Sequence, residues 1–233
     1  MMPPVAILAG GLSLRMRPAT ERIPKVLLEL AGQPFAIHQI ELLRRNGIAD
    51  MVFCVGHLGH LIVDAIGDGT RWGVKVRYSF DGPEPLGTGG AIVRAMPLLG
   101  ERFFILYGDA YLDCDYAAVA NRFDASRASG LMTVFRNANR WDRSNVEFVG
   151  DRIVAYDKQL RTSQMDYIDY GLGMLRGSAL ADYPSGQFLD LAQIYQDLVQ
   201  QHELTGFEVQ KRFYEVGSPS GLEETRRYLE RDV

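Results

Sequence analysis

Short apolar runs alternate with amphipathic stretches through the first half of the chain. Runs suited to buried strands occur at 5–8, 51–55, 74–80 and 103–107. Between them, 35–46 and 58–66 carry apolar residues at helical spacing. Gly47 closes the first helix as a C-terminal cap, and Gly67-Asp68-Gly69 ends the second. A third helix is predicted over 89–96, with Thr88 as its N-cap. This β-α-β-α rhythm predicts an α/β fold: a Rossmann-like mixed, mainly parallel sheet flanked by helices, with right-handed crossovers. Ligands on such sheets bind beyond the C-terminal ends of the strands.

The pattern changes after residue 115. Strands are predicted at 131–136, 145–149 and 152–157, the last two joined by a turn at Gly150-Asp151. Another strand follows at 167–175, then a helix at 189–200, a strand at 207–216 and a helix at 221–230. No linker, repeat or low-complexity segment interrupts this run. One domain over 1–233 is expected, in two halves, about 1–115 and about 116–233.

The chain has 233 residues, 47% of them hydrophobic, and a net charge of −4. No basic run suggests a nucleic-acid partner. No apolar run is long enough to span a membrane. The start, Met1-Met2-Pro3-Pro4, lacks the basic region of a signal peptide. The two cysteines, Cys54 and Cys114, lack metal-ligand spacing and fit a reducing compartment. A cytoplasmic protein, monomeric or homodimeric, is expected.

Candidate chemistry concentrates after the first strand. The run at 5–9 breaks into Gly10-Gly11, followed by Arg15, Arg17 and Pro24-Lys25. Glycines let backbone N–H groups approach an anion, and nearby cations neutralise its charge. The ordered set Leu8-Ala9-Gly10-Gly11, Ser13-Leu14-Arg15-Met16-Arg17-Pro18-Ala19-Thr20 and Pro24-Lys25 resembles the signature of the sugar-1-phosphate nucleotidyltransferases. Leu14 stands where that family usually has Thr or Ser. Pro85-Leu86-Gly87-Thr88-Gly89-Gly90 resembles the family segment that reads base and sugar. Within the family, these glycine-rich segments are most similar to short guanylyltransferases acting on heptose or mannose 1-phosphate.

The resemblance implies a nucleotide-binding first half (about 1–115), an acceptor-binding second half (about 116–233) and roles for further residues. Gly108-Asp109, after the fourth strand, matches a Gly-Asp pair whose Asp holds Mg²⁺. Asp157-Lys158 matches a Glu-Lys pair in which the acid binds sugar hydroxyls and Lys binds the sugar phosphate. Asp169-Tyr170-Gly171 resembles a segment, usually starting with Asn, that contacts the acceptor. Tyr214-Glu215-Val216-Gly217-Ser218-Pro219 matches a segment whose Asp, here Glu215, is the second metal ligand. Arg15 is then expected on the β- and γ-phosphates and Lys25 on the α-phosphate. The implied reaction joins a nucleoside triphosphate, GTP above all, to a sugar 1-phosphate and releases pyrophosphate.

Other readings stay open. Asp113-Cys114-Asp115 is a D-x-D pattern, the metal site of many glycosyltransferases, although Asp115 is also a good N-cap for a helix over 116–123. A glycosyltransferase, a non-catalytic nucleotide-sugar-binding protein and a cytidylyltransferase for a non-sugar phosphate are the alternatives. His57-x-x-His60 lacks a third ligand nearby and reads as a polar helix start. The polar loop 136–145, with Trp141 and Asp142, either closes over an acceptor or is solvated.

Overall fold

The computed structural model describes residues 2–231. In chain order its strands are β1 (Val5–Leu8), β2 (Glu29–Leu30), β3 (Gln33–Pro34), β4 (Asp50–Val55), β5 (Lys75–Phe80), β6 (Arg102–Tyr107), β7 (Ala110–Tyr111), β8 (Gly130–Arg136), β9 (Val146–Val149), β10 (Arg152–Tyr156), β11 (Tyr167–Arg176), β12 (Leu204–Val209) and β13 (Tyr214–Glu215). Its α-helices are α1 (Phe35–Arg45), α2 (Gly59–Ile66), α3 (Gly87–Leu99), α4 (Tyr116–Ser126), α5 (Leu191–Gln200) and α6 (Pro219–Arg231).

Nine strands form one sheet in the order β5-β4-β1-β6-β11-β8-β12-β10-β9. Side chains alternate across it, so β1 serves both faces. Val5 and Ile7 enter one apolar cluster with residues of α1, α2 and α4. Ala6 and Leu8 enter the other with residues of α3 and α5. Helices on both faces hide the sheet, which explains why β1 is apolar at every position.

From β1 the chain passes outward to β4 and β5, then returns to place β6 on the other side of β1. That reversal opens a crevice at the C-terminal ends of β1 and β6. In register, Leu8 pairs with Tyr107, so the loops after both strands leave side by side. β11 then joins β6 antiparallel, with Leu172 opposite Leu106, and its first residues fall at the same edge.

Pairing is parallel through β5-β4-β1-β6 and between β8 and β12, and antiparallel at the other junctions. The sheet is mixed, with its parallel part mostly in the first half. The expected strand 207–216 is two strands. β12 ends at Val209, the polar stretch Gln210-Lys211-Arg212 leaves the sheet, and β13 pairs with β7. Helix α5 begins at 191, because Asp190 is its N-cap and accepts the Ala192 N–H. Helix α6 begins at Pro219, where a missing N–H costs nothing.

Thr88 does not cap α3. That helix starts at Gly87, and the N–H groups of Gly89 and Gly90 donate to the Leu189 carbonyl. The Thr88 hydroxyl instead donates to Asp190 and accepts the Leu191 N–H at 2.8 Å, supporting the start of α5.

Candidate active site

Two clefts meet at the sheet edge where β1, β6 and β11 converge. The first, about 230 Å³, runs from Gly10-Gly11 and Asp81 to Lys25 and Asp109. Leu8, Pro85, Gly87, Thr88 and Tyr107 also line it, and the exposed Leu12 and Phe188 form apolar walls. The second, about 610 Å³, is more polar and holds Arg15, Arg143, Lys158, Arg161, Asp169, Gly171 and Glu215. Tyr107 and Asp109 belong to both. The two clefts therefore adjoin at Tyr107 and Asp109.

Glycines shape the first cleft in two ways. A Cβ on Gly10 would stand 3.2 Å from the Gly56 backbone, whereas one on Gly11 would meet nothing within 4 Å. Gly10 is needed for packing, and Gly11 keeps open room beside the cleft. A Cβ on Gly108 would fall 2.5 Å from the Leu8 carbonyl oxygen, so only glycine lets β6 leave the sheet this close to β1. The glycines of 87–90 admit protein backbone. A Cβ on Gly87 would sit 2.5 Å from the Leu189 carbonyl, and one on Gly90 2.4 Å from that of Gln187. Segment 187–189 packs against these glycines, while Gly87 and Thr88 still line the cleft.

The cations and carboxylates come from separate elements. Lys25, on the short turn Lys25–Leu27, donates to Asp109 Oδ2 at 2.5 Å. Arg15, on the turn Leu14–Met16, is exposed toward the second cleft. Glu215 is drawn to the site because β13 pairs with β7, and its carboxylate accepts the Gly217 N–H and the Ser218 hydroxyl. A Cβ on Gly217 would stand 2.7 Å from Asp109 Oδ2, 2.9 Å from Glu215 Oε2 and 3.7 Å from Arg15 Nη2. The two carboxylates and one guanidinium thus converge on the space beside Gly217. Among the described residues no cluster of three or more His, Cys, Asp or Glu side chains forms a metal cage. Two carboxylate oxygens nonetheless fit Mg²⁺, a hard cation that completes its shell with water and substrate phosphates.

In the second cleft, Lys158 donates to Asp190 Oδ1 at 3.3 Å. Burial works against the Asp190 charge, but the Ala192 N–H and Lys158 hold its carboxyl below the usual range. Asp157 goes elsewhere. Its Oδ1 accepts the N–H groups of Gln159 and Leu160 at 2.7 and 2.8 Å, which lowers its pKa, and it does not line the cleft. Asp169 does line it. A bulge in β11, with Gly171 at φ +96°, turns its carboxylate toward Tyr107 and Tyr156, whose hydroxyls donate at 3.3 and 3.4 Å. Burial pushes the Asp169 carboxyl up, against the opposing pull of the Gly171 N–H and of Lys158.

Several residues lining or bordering the clefts carried no signal in the sequence: Tyr107, Asp81, Arg161 and Asp190. The polarity of loop 136–145 was the one cue to Arg143. Trp141 from that loop lines the second cleft, and the Arg212 guanidinium lies 3.6 Å from its ring centroid, which ties the loop to the β13 region. The D-x-D pattern lies outside both clefts. Asp113 accepts from Lys211 and Tyr228, and Asp115 caps α4 through the Ala118 N–H. Among the described residues His57 and His60 gather no metal cluster, and Cys54 is buried with its thiol pushed up to about 12. No helix among the described residues is long and apolar enough to cross a membrane.

A glycine loop, two carboxylates and two adjoining clefts stand together at the C-terminal edge of the parallel strands of a mixed α/β sheet. The sequence profile of the family described as nucleotidyl transferase matches residues 5–144, and the chain belongs to that family. An N-acetylmuramate alpha-1-phosphate uridylyltransferase from Neisseria meningitidis is 30% identical over 229 residues, spanning 94% of this chain and 95% of that protein. A mannose-1-phosphate guanyltransferase from Candida albicans is 28% identical over 235 residues, covering 91% of this chain but 60% of that longer protein. The fold matches the crystal structure of HddC from Yersinia pseudotuberculosis complexed with GMP-PN, with a TM-score of 0.81 and 22% identity over 98% of this chain and 100% of that one. The activity class is nucleotidyl transfer to a sugar phosphate.

Proposed function

We propose that the protein forms a nucleotide sugar from GTP and a sugar 1-phosphate of the mannose or heptose type, releasing pyrophosphate. The observation that carries the transfer reaction is the junction of the two clefts at Tyr107 and Asp109, and the choice of GTP and a mannose-type acceptor follows the guanyltransferase relative. The first cleft suits a nucleotide, with apolar walls beside a glycine loop. The second suits a phosphorylated polar acceptor, with Lys158, Arg143 and Arg161 to meet the phosphate.

The acceptor phosphate oxygen attacks the α-phosphorus in line. A new P–O bond forms, the bond to the β-phosphate oxygen breaks, and pyrophosphate leaves. A phosphate monoester is already anionic at neutral pH, so no general base is required. Positioning and charge neutralisation supply the catalysis. Lys25 moves from Asp109 to the α-phosphate as the triphosphate arrives, and Arg15 meets the β- and γ-phosphates. Lys158 holds the attacking phosphate, with Asp190 orienting its ammonium group. Asp109 and Glu215 would hold Mg²⁺. When bound, the ion neutralises charge on the triphosphate oxygens.

The test is pyrophosphate release across the four common triphosphates and a panel of sugar 1-phosphates, with Mg²⁺ present. Turnover with GTP and mannose or heptose 1-phosphate above all other pairs is the expected result. Release with UTP and an amino-sugar 1-phosphate alone would replace the substrate pair but keep the reaction. No release with any pair would remove the reading.

A further inference from the structure

Helix α1 turns a stripe of apolar side chains into the core, and a polar one, Gln39, sits in the middle of it. Phe35, Ala36, Leu42 and Leu43, one turn to either side, are all buried, and Gln39 is itself 1% exposed. A primary amide at such a position loses its water and needs partners from the protein. Its Nε2 finds two at one place. It donates to the Ala110 carbonyl at 2.8 Å and to the Tyr107 carbonyl at 3.3 Å. Those two carbonyls bracket Gly108-Asp109. Among the described residues, the Gln39 Oε1 has no hydrogen-bond partner. It is the donor end of this buried amide that the fold uses. His38, its buried polar neighbour, serves a different element: its ring pairs with the Leu30 carbonyl of β2 at 2.8 Å.

The turn that Gln39 holds is the one that presents Asp109. The Gly108 N–H donates to the Leu8 carbonyl at 3.0 Å, and the Asp109 carbonyl accepts the Val216 N–H at 2.8 Å. With Gln39 on the carbonyls to either side, the backbone from 107 to 110 is tied to β1, to α1 and to the residue after β13. Ala110 is also the residue that stands opposite Glu215. The same amide therefore lies behind both carboxylates that converge beside Gly217. The Asp109 side chain is held from the front by Lys25. In the reaction drawn above, Lys25 leaves it when the triphosphate arrives. From then on the placement of the carboxylate depends on the backbone of 107–110.

We propose that Gln39 is a positioning residue for the metal carboxylates: its side-chain amide fixes the turn 107–110, and so sets where Asp109 and, through Ala110, Glu215 meet Mg²⁺. This rests on the reading that Asp109 holds the ion. Gln39 lines neither cleft, so it acts through Asp109 and not on a substrate. Without its two N–H donors, the carbonyls of Tyr107 and Ala110 would turn toward other donors and carry the carboxylate with them. A shift of about 1 Å at a reacting centre is enough to cost roughly a hundredfold in rate.

The test is Gln39→Met, which keeps the length and unbranched shape of the side chain and removes both donors. It is made alone and together with Asp109→Asn, and assayed with the substrate pair that wild type turns over fastest. Alone, it should lower kcat about tenfold to a hundredfold and leave the KM for the sugar 1-phosphate within about twofold. The affinity of the protein alone for Mn²⁺, read by electron paramagnetic resonance, should fall severalfold. In the Asp109→Asn background the added loss of kcat should stay under about threefold, because no carboxylate is left to position. A merely structural Gln39 would change Tm and leave kcat and Mn²⁺ affinity at wild-type values, and that result overturns the proposal. So does a loss of equal size in both backgrounds. Should Gln39→Met not fold, ¹⁵N spectra of wild type and Asp109→Asn decide. The Gln39 side-chain amide signal should shift when Mg²⁺ is added to wild type and stay in place in Asp109→Asn. A signal that Mg²⁺ leaves unmoved in wild type overturns the proposal. The underlying reading fails separately, and visibly, if Asp109→Asn alone matches wild type in both rate and Mn²⁺ affinity.

Discussion

Lys25 and Asp109 are 19% and 24% exposed at their side chains and touch at 2.5 Å, so each is the other's partner until a substrate intervenes. Removing one preorganised charge contact to a transition state costs on the order of 3 kcal/mol, roughly a hundredfold in rate. Lys25→Ala and Arg15→Ala should each lose about that much kcat/KM while circular dichroism stays that of wild type. Rates within about threefold of wild type for both would remove the phosphate-clamp assignment. Asp169 makes a different prediction. Its carboxyl is raised in the folded protein by burial. Such a group stabilises nothing by ionising: its charge penalty is absent below the ordinary carboxylate range and grows as pH rises through the folded-state value. Asp169→Asn should therefore match or exceed the wild-type Tm at about pH 8, with the gain shrinking toward about pH 4. A gain that grows on acidification would contradict the burial of this charge.

The decisive element is the segment from β13 into α6. β13 is two residues long, yet its pairing with β7 sets Glu215 opposite Ala110, next to Asp109. The Val216 N–H also donates to the Asp109 carbonyl. Gly217 leaves the space in which both carboxylates meet. In Gly217→Ala the new methyl would press on Asp109 Oδ2 and Glu215 Oε2, both at the ends of side chains that can yield. The expected outcome is a Tm close to wild type, a clear fall in kcat and a higher Mg²⁺ concentration for half-maximal rate. An unchanged Mg²⁺ dependence would show that the two carboxylates need not share this space.

Across the whole molecule, the candidate catalytic face is assembled from both halves of the chain. Asp109 follows β6 and Glu215 ends β13, so any metal between them links the halves. Groups that act as a unit are strongly non-additive. Asp109→Asn and Glu215→Gln should each weaken Mg²⁺ activation, and the double variant should be little worse than the poorer single one. Additive losses in a Mg²⁺ titration would separate the two roles. Full activity of Glu215→Gln at limiting Mg²⁺ would make Glu215 a structural acid that orders the Gly217-Ser218 turn.

Local pattern alone determined much of this protein. The strands of the first half, the glycine loop after β1, the Gly108-Asp109 step after β6 and the hairpin at Gly150-Asp151 were legible because periodicity and chain breakers act over a few residues. The tertiary structure decided what those elements meet. It inserted β11 between β6 and β8, and so made Tyr107 a wall of two clefts. It split 207–216 into two strands, gave Thr88 to α5 rather than α3, and filled the glycines of 87–90 with the backbone of 187–189. It also sorted the acids. In the sequence, Asp81, Asp113, Asp157 and Asp190 are equivalent carboxylates near turns. In the fold, Asp113 is held by Lys211 and Tyr228, Asp157 by backbone N–H groups and Asp190 by a helix start, while Asp81 faces the cleft with a single donor among the described residues. Which groups satisfy a carboxylate depends on contacts between residues far apart in the chain, and no local pattern encodes them.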